Sequence, residues 1–165
     1  MGNNNPEVLL EVKNLRVNMN IKKKQAYILK GVNLEVRKGE ILGIVGESGC
    51  GKSVTTRTII GLLPKQAEIV DGEVIFVNEN LLEKSKKEMN DIRAKRIATI
   101  FQDPLTYLNP VLTIGTQIRE AAKYSLTTNE RVNKTKLNEL SIEALKLARL
   151  PDPESLLDKY PFELS

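Results

Sequence analysis

The chain has 165 residues, of which 41% are hydrophobic and 28% charged, and it carries a net charge of +4. That length suits one domain or most of one, with enough apolar material for a core. There is no histidine and only one cysteine, Cys50. This excludes a histidine general base, a His-Asp-Ser triad, a histidine metal site, an internal disulfide and a cysteine-built cluster.

No apolar run approaches the length of a membrane span. The opening stretch "MGNNNPEVLLEV" is polar and then strand-like, without the pattern of a signal peptide. An intracellular, soluble protein is the expectation. The run Lys22-Lys23-Lys24 and the cluster Lys84, Lys86 and Lys87 are the densest positive charge. Runs this short belong on solvated loops. With aromatic residues at 4%, stacking platforms for single strands are not evident, and no nucleic-acid partner is expected.

In chain order, "EVLLEVKNLRVNM" alternates apolar and polar residues and predicts one strand or two. "AYILKGVNLEVRKGE" predicts another, with Val32, Leu34 and Val36 on one face and a Lys-Gly turn after it. "ILGIV", residues 41–45, is a short continuous apolar run, as expected of a strand buried on both faces. A glycine-rich loop follows, and "KSVTTRTIIGLL" predicts a helix ending at Pro64. "EIVDGEVIFVNENL" suggests a turn at Asp71-Gly72 and a β run from Val74 to Val77. "KKEMNDIRAKR" is a charged helix, and "IATIF", residues 97–101, is a second buried-strand candidate.

Beyond Pro110 the pattern turns helical. "TIGTQIREAAKY" is one helix and "NERVNKTKLNELSIEALKLARL" a longer one, with Leu137, Leu140, Ala144, Leu147 and Ala148 at helical spacing. Pro151 ends it, and Asp152 is placed to cap a short helix that has Pro153 at its first position. No internal repeat or low-complexity segment interrupts this order.

The strongest local signal is "GESGCGKS", residues 46–53, which satisfies G-x-x-x-x-G-K-[ST] between a predicted strand and a predicted helix. Gly46, Gly49 and Gly51 allow the backbone to curl, so that the N–H groups of the loop, through Glu47, Ser48 and Cys50, point into one concavity. That concavity sits on a helix N-terminus, which favours negative charge. Lys52 brings a point charge to the β- and γ-phosphates, Ser53 offers a hydroxyl to Mg²⁺, and the N–H of Val54 reaches toward the α-phosphate. The side chain of Cys50 is not needed for phosphate contact. Gln102, at the carboxyl end of the second buried-strand candidate, points into the crevice where α/β sheets bind ligands, and its amide oxygen suits Mg²⁺ or the attacking water. Asp103-Pro104 then starts a turn.

"GESGCGKS", "FQDPLTYLNP" and "YPFELS" together resemble the ATP-binding subunits of ABC transporters, in the order Walker A loop, Q-loop and approach to the LSGGQ signature. Within that family, "GIVGESGCGKS", "IFQDPLTYLNPVLTIGTQI" and "YPFELS" are most similar to subunits that power oligopeptide, dipeptide or nickel uptake. The resemblance implies an α/β fold: a P-loop core, an N-terminal antiparallel β subdomain and a helical subdomain. The implied division is 1–40 for the β subdomain, 41–104 for the core and 105–165 for the helical subdomain. It also implies that the chain is incomplete at its C-terminus, with the signature glycines, the Walker B aspartate, the catalytic glutamate and the switch histidine all lying beyond Ser165.

The implied ligands are ATP and Mg²⁺. Gly46, Glu47, Ser48, Gly49, Cys50, Gly51, Lys52, Ser53 and Val54 bind the nucleotide, Lys52 and Gln102 act in catalysis, and Ser53 and Gln102 hold the metal. The implied activity is that of an ATP hydrolase, with slow turnover expected of these 165 residues alone. Membrane permease subunits and a second ATP-binding subunit are the implied partners, with Tyr107, Leu108 and Val111 as candidate permease contacts at the cytoplasmic face of the membrane. Exposed edges along residues 41–45 and 97–101 add an expectation of self-association. An ABC-type ATPase without a permease is the alternative reading, although no sustained heptad seam of the kind its coiled-coil arms need is present. The family's adenine-stacking aromatic falls near Met19. Tyr27 is the nearest aromatic, expected to be partly buried in packing.

Overall fold

The computed structural model describes residues 7–21, 24–126 and 133–164. Lys22 and Lys23 of the basic run, the start of the expected long helix at 129–132, and Ser165 lie outside the described residues. Two compact units make up the chain, Met1–Asn90 and Asp91–Ser165.

The first unit is built on a four-stranded antiparallel sheet in the order β2-β1-β3-β4, with β1 at Val8–Ile21, β2 at Lys24–Arg37, β3 at Ala67–Phe76 and β4 at Glu79–Asn80. The alternation seen in "EVLLEVKNLRVNM" yields one continuous strand at the sheet's centre, paired on both edges. Its inward residues Val12, Leu15 and Val17 are almost fully buried, together with Leu29 of β2 and Val74 and Phe76 of β3. Burial of each such side chain contributes about 1.5–3 kcal/mol of transfer free energy. Val32, Leu34 and Val36 are only half-buried, and Leu29 carries the core contact of β2 instead.

The turn expected at Asp71-Gly72 is a bulge inside β3. The pairing with β1 continues on both sides of it, from Lys13↔Glu73 to Arg16↔Asp71. Gly72 has a φ of +103°, and a Cβ there would meet Lys13 O and Leu15 Cα at 2.6 Å. Only glycine fits this close approach of two backbones. Across the same bulge Asn14, itself at a φ of +46°, donates from Nδ2 to Asp71 Oδ2 at 2.8 Å, and its backbone N–H donates to Asn33 Oδ1 at 2.8 Å.

Helix α1 runs over Lys52–Ile59 and packs against β2. It ends before the expected stop at Pro64. Gly61 takes a φ of +66°, and the N–H of Leu62 reaches back to Arg57 O at 2.8 Å, which closes the helix as a left-handed glycine cap. Thr55 and Thr58 are buried on its inner face, with hydroxyls donating to Gly51 O at 3.1 Å and Val54 O at 2.7 Å. Their polar groups are thus satisfied within the helix.

Residues 41–45 correct the sequence expectation. They form no strand; Ile41 is 97% exposed and Val45 96%. A strand needs a neighbour for its ladder and a covered face for its side chains. Among the described residues of this unit, the segment has neither.

Helix α2 spans Lys86–Lys95, as predicted, and the boundary between the units falls within it. Ser85 caps it. Its N–H and hydroxyl donate to Glu88 Oε2 at 2.8 and 2.6 Å, and Glu88 N–H returns to Ser85 Oγ at 3.3 Å. These bonds, led by that from the hydroxyl, hold the Glu88 carboxyl below the usual glutamate range.

In the second unit, residues 97–101 also form no strand, and Ile100 is 93% exposed. The physical reason is the same: no described segment of the unit pairs with them. Helix α3 covers Ile114–Ser125, with Thr113 as its N-cap accepting from the N–H of Thr116. Helix α4 covers Lys134–Leu147, capped by Asn133. Its buried face is Ser141 and Leu145, while Ala144 and Leu147 face solvent, Leu147 at 79% exposure. The expected stripe of Leu140, Ala144 and Leu147 is therefore rotated. A serine takes a core position because its hydroxyl donates back to Leu137 O at 2.7 Å.

Helix α5, Pro153–Leu156, starts at Asp152 as expected, but Asp152 sits at a φ of +45° and its side chain makes no cap bond. The stretch after α5 crosses the start of α3. Ile114 and Gly115 donate from their N–H groups to Lys159 O at 2.8 Å and Leu157 O at 2.9 Å. The final described stretch closes in a 3₁₀ turn at Pro161–Glu163.

Candidate phosphate-binding site

The glycine-rich loop leaves residue 45 and curls into the N-terminus of α1. Gly49 and Gly51 both take left-handed backbone, with φ of +86° and +102°. Gly51 is the buried member. A Cβ on it would meet Leu29 Cδ2 at 2.6 Å and Ile28 O at 3.6 Å. The loop is therefore pinned to the sheet at this point, where β2 passes beneath it. Sequence reasoning assigned glycine its conformational role but missed Leu29 as the partner. The only available signal was an apolar residue early in β2.

α1 begins at Lys52 with Gly51 as its cap. Its first turn carries no acidic residue and Gly51 offers no side chain, so the N–H groups of Lys52, Ser53 and Val54 find no acceptor among the described residues. Orphan donors at a helix N-terminus, with the positive end of the helix dipole behind them, suit an anion. Ser53 is exposed. Lys52 folds back over the loop, with Nζ donating to Gly46 O at 2.6 Å and Glu47 O at 2.7 Å, and it lies 3.4 Å from Cys50 Sγ. The ammonium is thereby held at the mouth of the loop rather than spread into solvent. A Cβ at Gly46 would meet Cys50 Sγ at 2.7 Å, so Cys50 packs across the loop.

This donor set fits a chain of phosphates: backbone N–H groups, one mobile cation and one hydroxyl. Gly46 through Val54 stand together in the first unit. Gln102 lies in the second, exposed, just before a 3₁₀ turn at Pro104–Tyr107. The Phe101 ring stacks on Tyr107 with centroids 4.1 Å apart and brackets Gln102 within this turn. Tyr107 and Val111 are exposed, at 55% and 75%, and Leu108 is half-buried.

Met19 is half-buried. Tyr27 overturns its expected burial: it stands 66% exposed on β2. An edge strand leaves one side of each residue without a neighbour, and nothing else in the unit covers this ring.

The sheet, loop and helix define a nucleotide-binding fold of the phosphate-loop class. The chain belongs to the ABC transporter family, whose description matches residues 29–165. It is 48% identical to a probable peptide ABC transporter ATP-binding protein of Sinorhizobium fredii, over 99% of this chain and 48% of that protein. It is 42% identical to a dipeptide transport ATP-binding protein of Bacillus subtilis, over 96% of this chain and 47% of that protein. The chain spans about half the length of the curated relatives it matches. Among solved structures, it matches an ATP-binding cassette captured as a dimer in a post-hydrolysis state with ADP and Pi bound. That match has a TM-score of 0.79 and 27% identity, over 95% of this chain and 63% of that one. The fold is thus an ABC ATPase cassette fold with an antiparallel β subdomain and helices.

Gly51→Ala should break the pinning of the loop, since alanine is strained at this φ and its Cβ meets Leu29. We expect a loss of about 1–3 kcal/mol in urea unfolding. Leu29→Ala in the same chain should not restore it, because the backbone strain remains. An unchanged midpoint for Gly51→Ala would contradict the pinning.

Proposed function

We propose that this chain is the nucleotide-binding part of an ATPase subunit that drives import of peptides or a related small solute through a membrane permease. The observation that carries the reading is the phosphate loop, with its orphan helix-terminal N–H groups and the Lys52 ammonium held at its mouth. The names of the relatives, peptide and dipeptide transport ATP-binding proteins, support the solute class.

In this reading Gly46, Glu47, Ser48, Gly49, Cys50 and Gly51 wrap the β-phosphate with backbone N–H groups, and Lys52, Ser53 and Val54 extend the cradle along the helix start. Lys52 exchanges its carbonyl partners for β- and γ-phosphate oxygens as nucleotide enters. That exchange keeps the charge satisfied in both states, so little is lost in reorganisation. Ser53 and Gln102 would hold Mg²⁺, which supplies charge neutralisation for the phosphates. Gln102 enters on the family motif. Its role is to orient the water at the γ-phosphate. No acidic residue is assigned to polarise that water, and these 165 residues are proposed to bind nucleotide with little turnover. Tyr107, Leu108 and Val111 are proposed to meet the permease, and a second ATP-binding subunit to complete the assembly at the cytoplasmic face. Among the described residues, no helix is long and apolar enough to cross a membrane.

The test is titration of a fluorescent ATP analogue with Mg²⁺ into the chain and its Lys52→Ala variant. Affinity should fall at least about tenfold in the variant, the loss of some 1.4 kcal/mol. Equal affinity in both would overturn the assignment of the loop.

The chain is also proposed to self-associate, because residues 41–45 present apolar side chains and an unpaired backbone edge. Sedimentation across the micromolar range should give species larger than 18.5 kDa. A single species of that mass at every concentration would refute it.

A further inference from the structure

A cleft of about 290 Å³ opens on the antiparallel sheet, lined by Arg16, Asn18, Tyr27, Leu29, Lys30 and Val70. Two cross-strand pairs build it. Asn18 stands directly opposite Tyr27, and Arg16 opposite Lys30, in the register of β1 and β2. Such pairs hold their side chains in fixed relation on a rigid ladder. Leu29 is its apolar floor, 3% exposed.

The four polar side chains are in different states. Arg16 is already engaged, with Nε donating to Asn14 Oδ1 at 3.3 Å and lying 3.7 Å from Asp71 Oδ2. Lys30 makes no ion pair among the described residues and is exposed. Tyr27 offers a ring that is 66% exposed. Asn18 is the unusual member. It is only 7% exposed, yet its amide has no hydrogen-bond partner among the described residues, and no buried polar atom there is sealed without one. Its amide atoms therefore open onto the cleft. A buried amide left unpaired costs about 1–3 kcal/mol, and a ligand group in the cleft would remove that cost.

An aromatic face, an unpaired ammonium, an amide able to donate or accept, and an apolar floor together select one chemistry. We propose that this cleft is a second ligand site, separate from the phosphate loop, for a small planar ring carrying an anionic group. The ring lies against Tyr27 over Leu29, the anion meets Lys30, and the Asn18 amide bonds a polar substituent on the ring edge. Arg16, neutralised in part by Asp71, orients the mouth rather than supplying the main charge. The two sources of this chemistry, an aryl phosphate and an aryl carboxylate, share every contact except the shape of the anion.

The probes are phenyl phosphate and benzoate, with benzyl alcohol as the neutral ring and inorganic phosphate as the bare anion. Binding is read by ligand-observed NMR on the 165-residue chain at concentrations up to about 10 mM, the range of weak fragments. One or both ring-bearing anions should bind, and whichever binds more tightly identifies the source. Benzyl alcohol and phosphate should each bind at least about tenfold more weakly. Tyr27→Ala and Lys30→Gln, both at exposed positions that leave the core intact, should each weaken the binding anion about fivefold or more. Lys52→Ala and added Mg-ATP should leave it unchanged. The proposal is overturned if neither ring-bearing anion binds, if binding survives both cleft substitutions, or if Lys52→Ala or ATP abolishes it. In that last case the anion is held by the phosphate loop.

Discussion

The contact on which the candidate site depends is the approach of Gly51 to Leu29. β2 must pass close beneath the loop for α1 to start where it does, and only a residue without a Cβ permits that approach at a φ of +102°. Everything at the mouth follows from it. α1 starts at Lys52, its first N–H groups stay unpaired, and Lys52 can fold back onto Gly46 and Glu47. The anchor is an antiparallel strand, itself locked to β1 by the buried pair Val17↔Leu29.

That arrangement separates two jobs usually credited to one sheet. The loop's position is set from the β subdomain side, through Leu29 and the buried face of Thr55 and Thr58. Residues 41–45, which lead directly into the loop, are exposed and unpaired in this unit. A preformed cradle beside an unpartnered apolar segment describes a binding surface with a built-in demand for cover. The Phe101–Tyr107 stack is the corresponding local device in the second unit, where it closes the turn that carries Gln102 without support from a strand.

The sequence disclosed what depends on neighbours a few residues apart. The phosphate loop, α2, α3 and the antiparallel strands could be read from glycine spacing, capping residues and alternation. It disclosed poorly what depends on distant partners. "ILGIV" and "IATIF" have the composition of buried strands, but burial needs a sheet on either side, and composition does not say whether one is present. The turn read at Asp71-Gly72 became a bulge because β1 keeps its ladder past it. The stripe on α4 rotated because Ser141 satisfies its hydroxyl locally and so can occupy the core. Asn18 and Tyr27 gave no signal at all, since their juxtaposition exists only in the β1–β2 register.

The central claim is that the phosphate loop is formed and anchored on β2 before any nucleotide arrives. Amide hydrogen exchange on the nucleotide-free chain tests it most directly. The account predicts slow exchange at Thr55 through Ile59 and across β1 and β2, rapid exchange at residues 41–45, and new protection at Lys52, Ser53 and Val54 when Mg-ATP is added. Exchange of Thr55 through Ile59 at the rate of an unfolded chain would contradict it, because the loop would then owe its shape to the ligand and not to the sheet beneath it.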